Sequence, residues 1–118
     1  MRPSHELPKV YLCREPVDMR KAIDGLAVLV EAVLSMSPFE PHLFAFCNRR
    51  RDKIKILYFE GNGFVLWYKR LEKQRFYWPL DSDVDVITLS GQELNWLLDG
   101  YDLSQLKPHR KLSYTTVL

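Results

Sequence analysis

Lys53-Ile54-Lys55-Ile56-Leu57-Tyr58-Phe59-Glu60-Gly61-Asn62-Gly63-Phe64-Val65-Leu66-Trp67-Tyr68-Lys69-Arg70 is the stretch that decides the fold. Its two halves, 53–59 and 64–70, are rich in β-branched and aromatic residues, and the Gly-Asn-Gly between them predicts a tight hairpin. A loop at Gly61-Asn62 and one at Asn62-Gly63 leave the same side chains on each face, because side chains alternate along a strand. One face carries Ile54, Ile56 and Tyr58 beside Val65, Trp67 and Lys69, and is mostly apolar. The other carries Lys53, Lys55, Leu57 and Phe59 beside Phe64, Leu66, Tyr68 and Arg70, apolar near the turn and cationic at the far end. There Lys53 and Lys55 fall opposite or diagonal to Arg70, a repulsion that an anion between them would relieve.

Working outward, the aromatic run 43–48 predicts a preceding strand, linked by polar residues 49–52. Residues 10–13 form a first short apolar run, ended by Pro16. With Asp18 as N-cap, Met19, Ile23, Leu26, Ala27, Val30, Val33 and Leu34 recur at the spacing of one helix face, predicting a long amphipathic helix over 18–34. A Pro- and Ser-containing loop follows at 35–41. Downstream, 75–78 and 84–89 are expected strands. Ser90-Gly91-Gln92-Glu93 is a capping-box pattern opening a short helix over 90–99, with Gly100 placed to close it. The expectation is one α+β domain over 1–118: an antiparallel β-sheet meander whose apolar face is covered by the long helix, with the C-terminal helix packed nearby. Residues 101–118 are a candidate mobile tail, recharged by Lys107, Arg110 and Lys111.

At 118 residues and 47% apolar content the chain suits one packed domain, and no apolar run approaches the ~20 residues of a membrane helix. The N-terminus lacks the apolar stretch of a secretory signal, so a cytoplasmic protein with Cys13 and Cys47 as buried free thiols is expected. The formal charge of +2 hides a divided chain. Between residues 49 and 75 nine cations, Arg49, Arg50, Arg51, Lys53, Lys55, Lys69, Arg70, Lys73 and Arg75, face three acids, Asp52, Glu60 and Glu72, a net +6. Residues 76–106 carry six acids and no Lys or Arg.

Clustered cations beside exposed aromatic rings are the composition of a phosphate-binding surface, with Tyr68 and Tyr77, or Trp67, as candidate base-stacking residues. The bland alternative is a solvated sheet edge kept from aggregating by charge. Three consecutive arginines exceed that need. Of the aromatic series Phe64, Trp67, Tyr68, Phe76, Tyr77 and Trp78, most members are assigned to the core and one or two to exposed platforms. No helix-turn-helix, zinc finger or basic zipper pattern points to sequence-specific readout. Catalysis has little support: His5, His42 and His109 are scattered, and a carboxylate-metal nuclease would need Asp18, Asp24, Asp52 and Glu60 to converge. No cofactor or metal site is indicated. The acidic string Asp81, Asp83 and Asp85 lacks the glycine and terminal glutamate of a calcium loop.

Pro16-Val17-Asp18-Met19-Arg20-Lys21, Asp24-Gly25-Leu26, His42-Leu43-Phe44, Asn48-Arg49-Arg50-Arg51-Asp52, Ile54-Lys55-Ile56-Leu57, Gly63-Phe64, Lys69-Arg70-Leu71-Glu72-Lys73 and Phe76 to Pro79 occur in order over residues 10–100. Together they resemble the TnpB accessory proteins of insertion-sequence-66 type transposable elements. The chain departs from that pattern at Ala22, Glu40-Pro41, Phe59 and Gln74. The resemblance implies a bacterial protein encoded beside a larger transposase subunit that carries the catalytic acids, with this chain as a non-enzymatic accessory. It supplies no catalytic residues to carry over. DNA contact through the basic segment is inferred from the residues themselves, and docking on the transposase, with no DNA involved, is the competing expectation. The oligomeric state is left open.

Overall fold

A computed structural model describes residues 9–106. Five strands, β1 (Val10–Cys13), β2 (Leu43–Cys47), β3 (Lys53–Glu60), β4 (Gly63–Arg70) and β5 (Val86–Leu89), form one sheet in the order β4-β3-β2-β1-β5. Three helices, α1 (Ile23–Ala32), α2 (Gly91–Leu98) and α3 (Leu103–Leu106), complete the described chain. The expected meander β2-β3-β4 is present, and Glu60 pairs with Gly63 around a Gly61-Asn62 loop. Gly61 takes φ 65, a backbone conformation that glycine adopts without steric cost, and only this first loop residue is left-handed, as in a type II′ turn. The two hairpin faces carry the expected side chains, with Ile54 opposite Lys69, Ile56 opposite Trp67 and Lys53 opposite Arg70.

The sheet is mixed rather than antiparallel, because β1 and β2 run parallel. Parallel neighbours need a crossover, and α1 supplies it between the two strands. β1 in turn pairs antiparallel with β5. Helices on both faces explain the unbroken apolar run Leu43-Phe44-Ala45-Phe46-Cys47, all five residues of which are buried. Phe44 and Phe46 face Leu26, Val30 and Leu34 of the α1 layer, whereas Leu43, Ala45 and Cys47 face the layer of Leu94, Leu97 and Leu98. Each fully buried leucine contributes about 2 kcal/mol of transfer free energy. Cys13 and Cys47 are buried free thiols on opposite faces, and desolvation pushes the Cys47 thiol up to about 12.

Three further expectations are corrected. The helix over 18–34 is much shorter, running only from Ile23 to Ala32, and Asp18 does not cap it. The Asp18 carboxylate instead accepts from the Arg20 backbone N–H at 2.9 Å and pairs with the Arg20 guanidinium at 2.6 Å, which holds residues 18–21 in a turn. That pairing holds the Asp18 carboxyl at about 2, below the usual carboxylate range. At the other end Ser35, with φ 56, takes the chain out of the helix. Second, α1 lies on the face that carries Leu57, Phe64 and Leu66, not on the mostly apolar face. That face is covered by α2 and by Phe76 and Trp78. Third, 75–78 is not a strand: its aromatics anchor it instead, with Phe76 fully buried and the Trp78 indole N–H donating to the Cys13 carbonyl at 3.0 Å. The expectations for the tail at 107–118, with Lys107, His109, Arg110 and Lys111, and for His5 lie outside the described residues.

The capping box forms as its sequence predicts. The Ser90 hydroxyl accepts from Glu93 N–H at 3.1 Å while Glu93 Oε1 accepts from Ser90 N–H at 2.8 Å. Gly100, at φ 97, closes α2: its N–H reaches the Leu97 carbonyl and that of Tyr101 reaches Trp96, a Schellman ending.

Candidate nucleic-acid interface

The β2–β3 connection is organised by one side chain. Asn48 Oδ1 accepts from the backbone N–H groups of Asp52 (3.1 Å) and Lys53 (3.0 Å), and its Nδ2 donates to Asp52 Oδ1 at 2.7 Å. These bonds hold the Asp52 carboxyl below its ordinary range, with Lys53 adding to the effect. The Arg51 N–H closes the turn on the Asn48 carbonyl at 3.1 Å, and Arg51 sits at φ 62, where a side chain is strained. Arg49 and Arg50 are left exposed at the tip.

The chain beyond β4 returns to this turn. Leu71 N–H donates to the Asp52 carbonyl at 2.8 Å and Phe76 N–H to the Arg51 carbonyl at 2.7 Å. The arc between these bonds and the turn enclose a groove of about 610 Å³. Arg50 and Arg51 line it from the turn and Lys73 and Arg75 from the arc, against the acids Asp52 and Glu72, with Tyr77 and Gly100 at its margin. Four cations against two acids give the lining a net +2. Glu72 is bonded to Arg70 at 2.9 Å, which offsets part of its charge.

The remaining predicted cations are spread over both faces. Lys55 directs its ammonium at the carbonyls of Met19 (2.7 Å) and Lys21 (2.8 Å), fastening the turn before α1, and lies 5.6 Å from the centre of the Tyr68 ring. Lys69 crosses to the opposite face and donates to the Leu98 carbonyl at 2.8 Å, at the C-terminus of α2, where a cation is favoured. Lys53 lies 3.4 Å from Asp52 and Arg70 is paired with Glu72, so the repulsion between Lys53 and Arg70 is relieved by the protein's own acids. Tyr68, 48% exposed, sits with Lys55 on the α1 side, away from the groove residues, while Tyr77, 54% exposed, lines the groove.

Sequence reasoning identified the groove's cations but not the residue that arranges them. Asn48 carries only a weak signal, an Asn opening a polar turn, where Asn side chains commonly bond nearby backbone groups. Gly100 reads in the sequence as a helix stop, and nothing local shows that it lines the groove. Among the described residues no group of three or more His, Cys, Asp or Glu is positioned to hold a metal, so Asp18, Asp24, Asp52 and Glu60 do not converge. No helix among them is long and apolar enough to cross a membrane.

The described chain has helices on both faces of a mixed sheet and a basic groove at one end of it. The family described as IS66 Orf2 like protein matches residues 8–108, and the chain belongs to that family, the TnpB proteins of IS66 elements. Two relatives come from Sinorhizobium fredii (strain NBRC 101917 / NGR234). The uncharacterized protein y4hO is 34% identical over 102 residues, covering 86% of this chain and 88% of the relative. The uncharacterized protein y4jC is 31% identical over 99 residues, covering 84% of each. No solved structure matches the chain. Membership makes the chain a transposition-associated accessory-type protein.

Proposed function

We propose that the protein is a non-enzymatic, cytoplasmic accessory of insertion-sequence transposition that grips the DNA backbone and assists a separate transposase. The observation that carries this reading is the convergence of Arg50, Arg51, Lys73 and Arg75 from two chain segments onto one groove. Like charges gathered at fixed positions repel one another, and a polyanion is the partner that turns that cost into affinity. Arg49, at the exposed tip of the same turn, extends the surface. Lys55 and Lys69, committed to backbone carbonyls, serve the fold in this reading, and Lys53 and Arg70 flank the site at the same sheet end.

The test is binding of fluorescent duplex and single-stranded DNA across a salt series. Wild-type affinity falls with a log–log slope of about −3 to −5, the value for roughly four or five neutralised phosphates. The Arg49/Arg50/Arg51→Ala variant loses a large part of that slope at every sequence tested. Unchanged affinity in the variant removes the surface from consideration. Absence of any DNA binding at low salt directs attention to protein docking on the transposase.

A further inference from the structure

Two concavities meet at Tyr77. Beside the basic groove lies a second hollow of about 550 Å³, and both are lined by Arg51 and Tyr77. Its character differs: Trp78, Pro79, Leu80 and Leu103 give it apolar walls, and its charged lining is three carboxylates, Asp81, Glu93 and Asp102, against Arg51 alone. A phosphate is repelled there. A base is not, since its faces are apolar and its amino groups donate to carboxylates.

This division matches the cross-section of one unpaired strand, anionic along its backbone and apolar along its bases. A duplex offers no such cross-section, because its bases are stacked and paired inside two anionic ridges. Tyr77, a residue 54% exposed, lines both hollows. An exposed aromatic residue at that position is placed to stack on a base out of its own stack.

Resting on the phosphate-binding reading above, we propose that the site takes single-stranded nucleic acid, with phosphates over Arg50, Arg51, Lys73 and Arg75, a base stacked on Tyr77 and its neighbour directed into the Trp78–Leu103 hollow. DNA and RNA strands share this chemistry. Strand selection then comes from the shape of the site, with no reading of sequence.

The experiment measures affinity for single-stranded DNA, single-stranded RNA of the same sequence and the DNA duplex, each about 15 nucleotides long, enough to span a single-strand site. It uses the wild type, Tyr77→Ala, Tyr77→Phe, and Tyr68→Ala as a control on the other face. The expected result is tighter binding of at least one single strand than of the duplex. Tyr77→Ala weakens single-strand binding roughly 5- to 100-fold with its salt slope unchanged, because stacking releases no counterions. Tyr77→Phe retains affinity, Tyr68→Ala behaves as wild type, and DNA against RNA preference identifies the source of the strand. Equal or tighter duplex binding, or a Tyr77→Ala variant that binds single strands as wild type does, overturns the inference. If the salt slope and its loss in the arginine variant persist in that case, the phosphate-binding reading survives alone. If no nucleic acid binds, both fall.

Discussion

Arg51 is the residue at which fold and proposed function pull in different directions. Its φ of 62 lies where a β-carbon crowds the following carbonyl, at a cost of about 1–2 kcal/mol, and glycine or asparagine would sit there more easily. The conformation is held by bonds on both sides, its N–H to Asn48 and its carbonyl from Phe76, and it turns the side chain to the boundary of both hollows. Arg51→Gly is therefore expected to raise stability by about 0.5 kcal/mol, the relieved strain exceeding the entropy gained by the unfolded glycine, while weakening DNA binding. Arg51→Ala keeps the strain and is expected to weaken binding with no gain in stability. Chemical denaturation beside the binding assay checks both, and a destabilised Arg51→Gly protein contradicts this account of the turn. Lys55 and Lys69 teach the complementary lesson. Both were legible as cations, but their ends lie 36 and 29 residues away in sequence, on carbonyls of Met19 and Leu98 that no local pattern reveals.

The elements whose determinants are local were the legible ones. The β3–β4 hairpin and α2 each carry their start and stop signals within a few residues, and both formed as the sequence predicts. Because both halves of the Ser90–Glu93 box satisfy otherwise orphaned N–H groups, Ser90→Ala should cost about 1 kcal/mol and lower the melting temperature by roughly 4 °C. A thermal melt indistinguishable from wild type would mean that α2 is held by Leu94, Leu97 and Leu98 alone. The elements that went astray depend on the rest of the molecule. Asp18 reads as an N-cap without the box partner that Ser90 has, and its carboxylate is taken by Arg20 while the turn around it is fastened by Lys55. Residues 75–78 have the composition of a strand, yet Phe76 and Trp78 are buried as anchors beneath the basic arc, which is what holds that arc beside the Arg51 turn. The parallel pairing of β1 with β2 was foreshadowed by a helix between two strands, and by a β2 run too uniformly apolar to have a solvent face.

On the scale of the molecule, charge follows architecture. Segregation along the sequence, cations in 49–75 and acids in 76–106, becomes segregation across one boundary, where a basic groove adjoins an acid-margined apolar hollow. What the sequence could not convey is that nine clustered cations do not act together. Four line one groove, while Lys55 and Lys69 close packing contacts on opposite faces of the sheet. The sheet and the bonds from Leu71 to Asp52 and from Phe76 to Arg51 set the two segments side by side. The measurement that tests this most directly is an NMR titration of the labelled protein with a short single-stranded DNA, following every backbone amide. Shifts are expected to concentrate at Arg50, Arg51, Lys73, Arg75 and Tyr77, with Lys55, Tyr68 and α1 quiet. Shifts centred on the Lys53–Lys55–Tyr68–Arg70 face, or none at saturating DNA, contradict it.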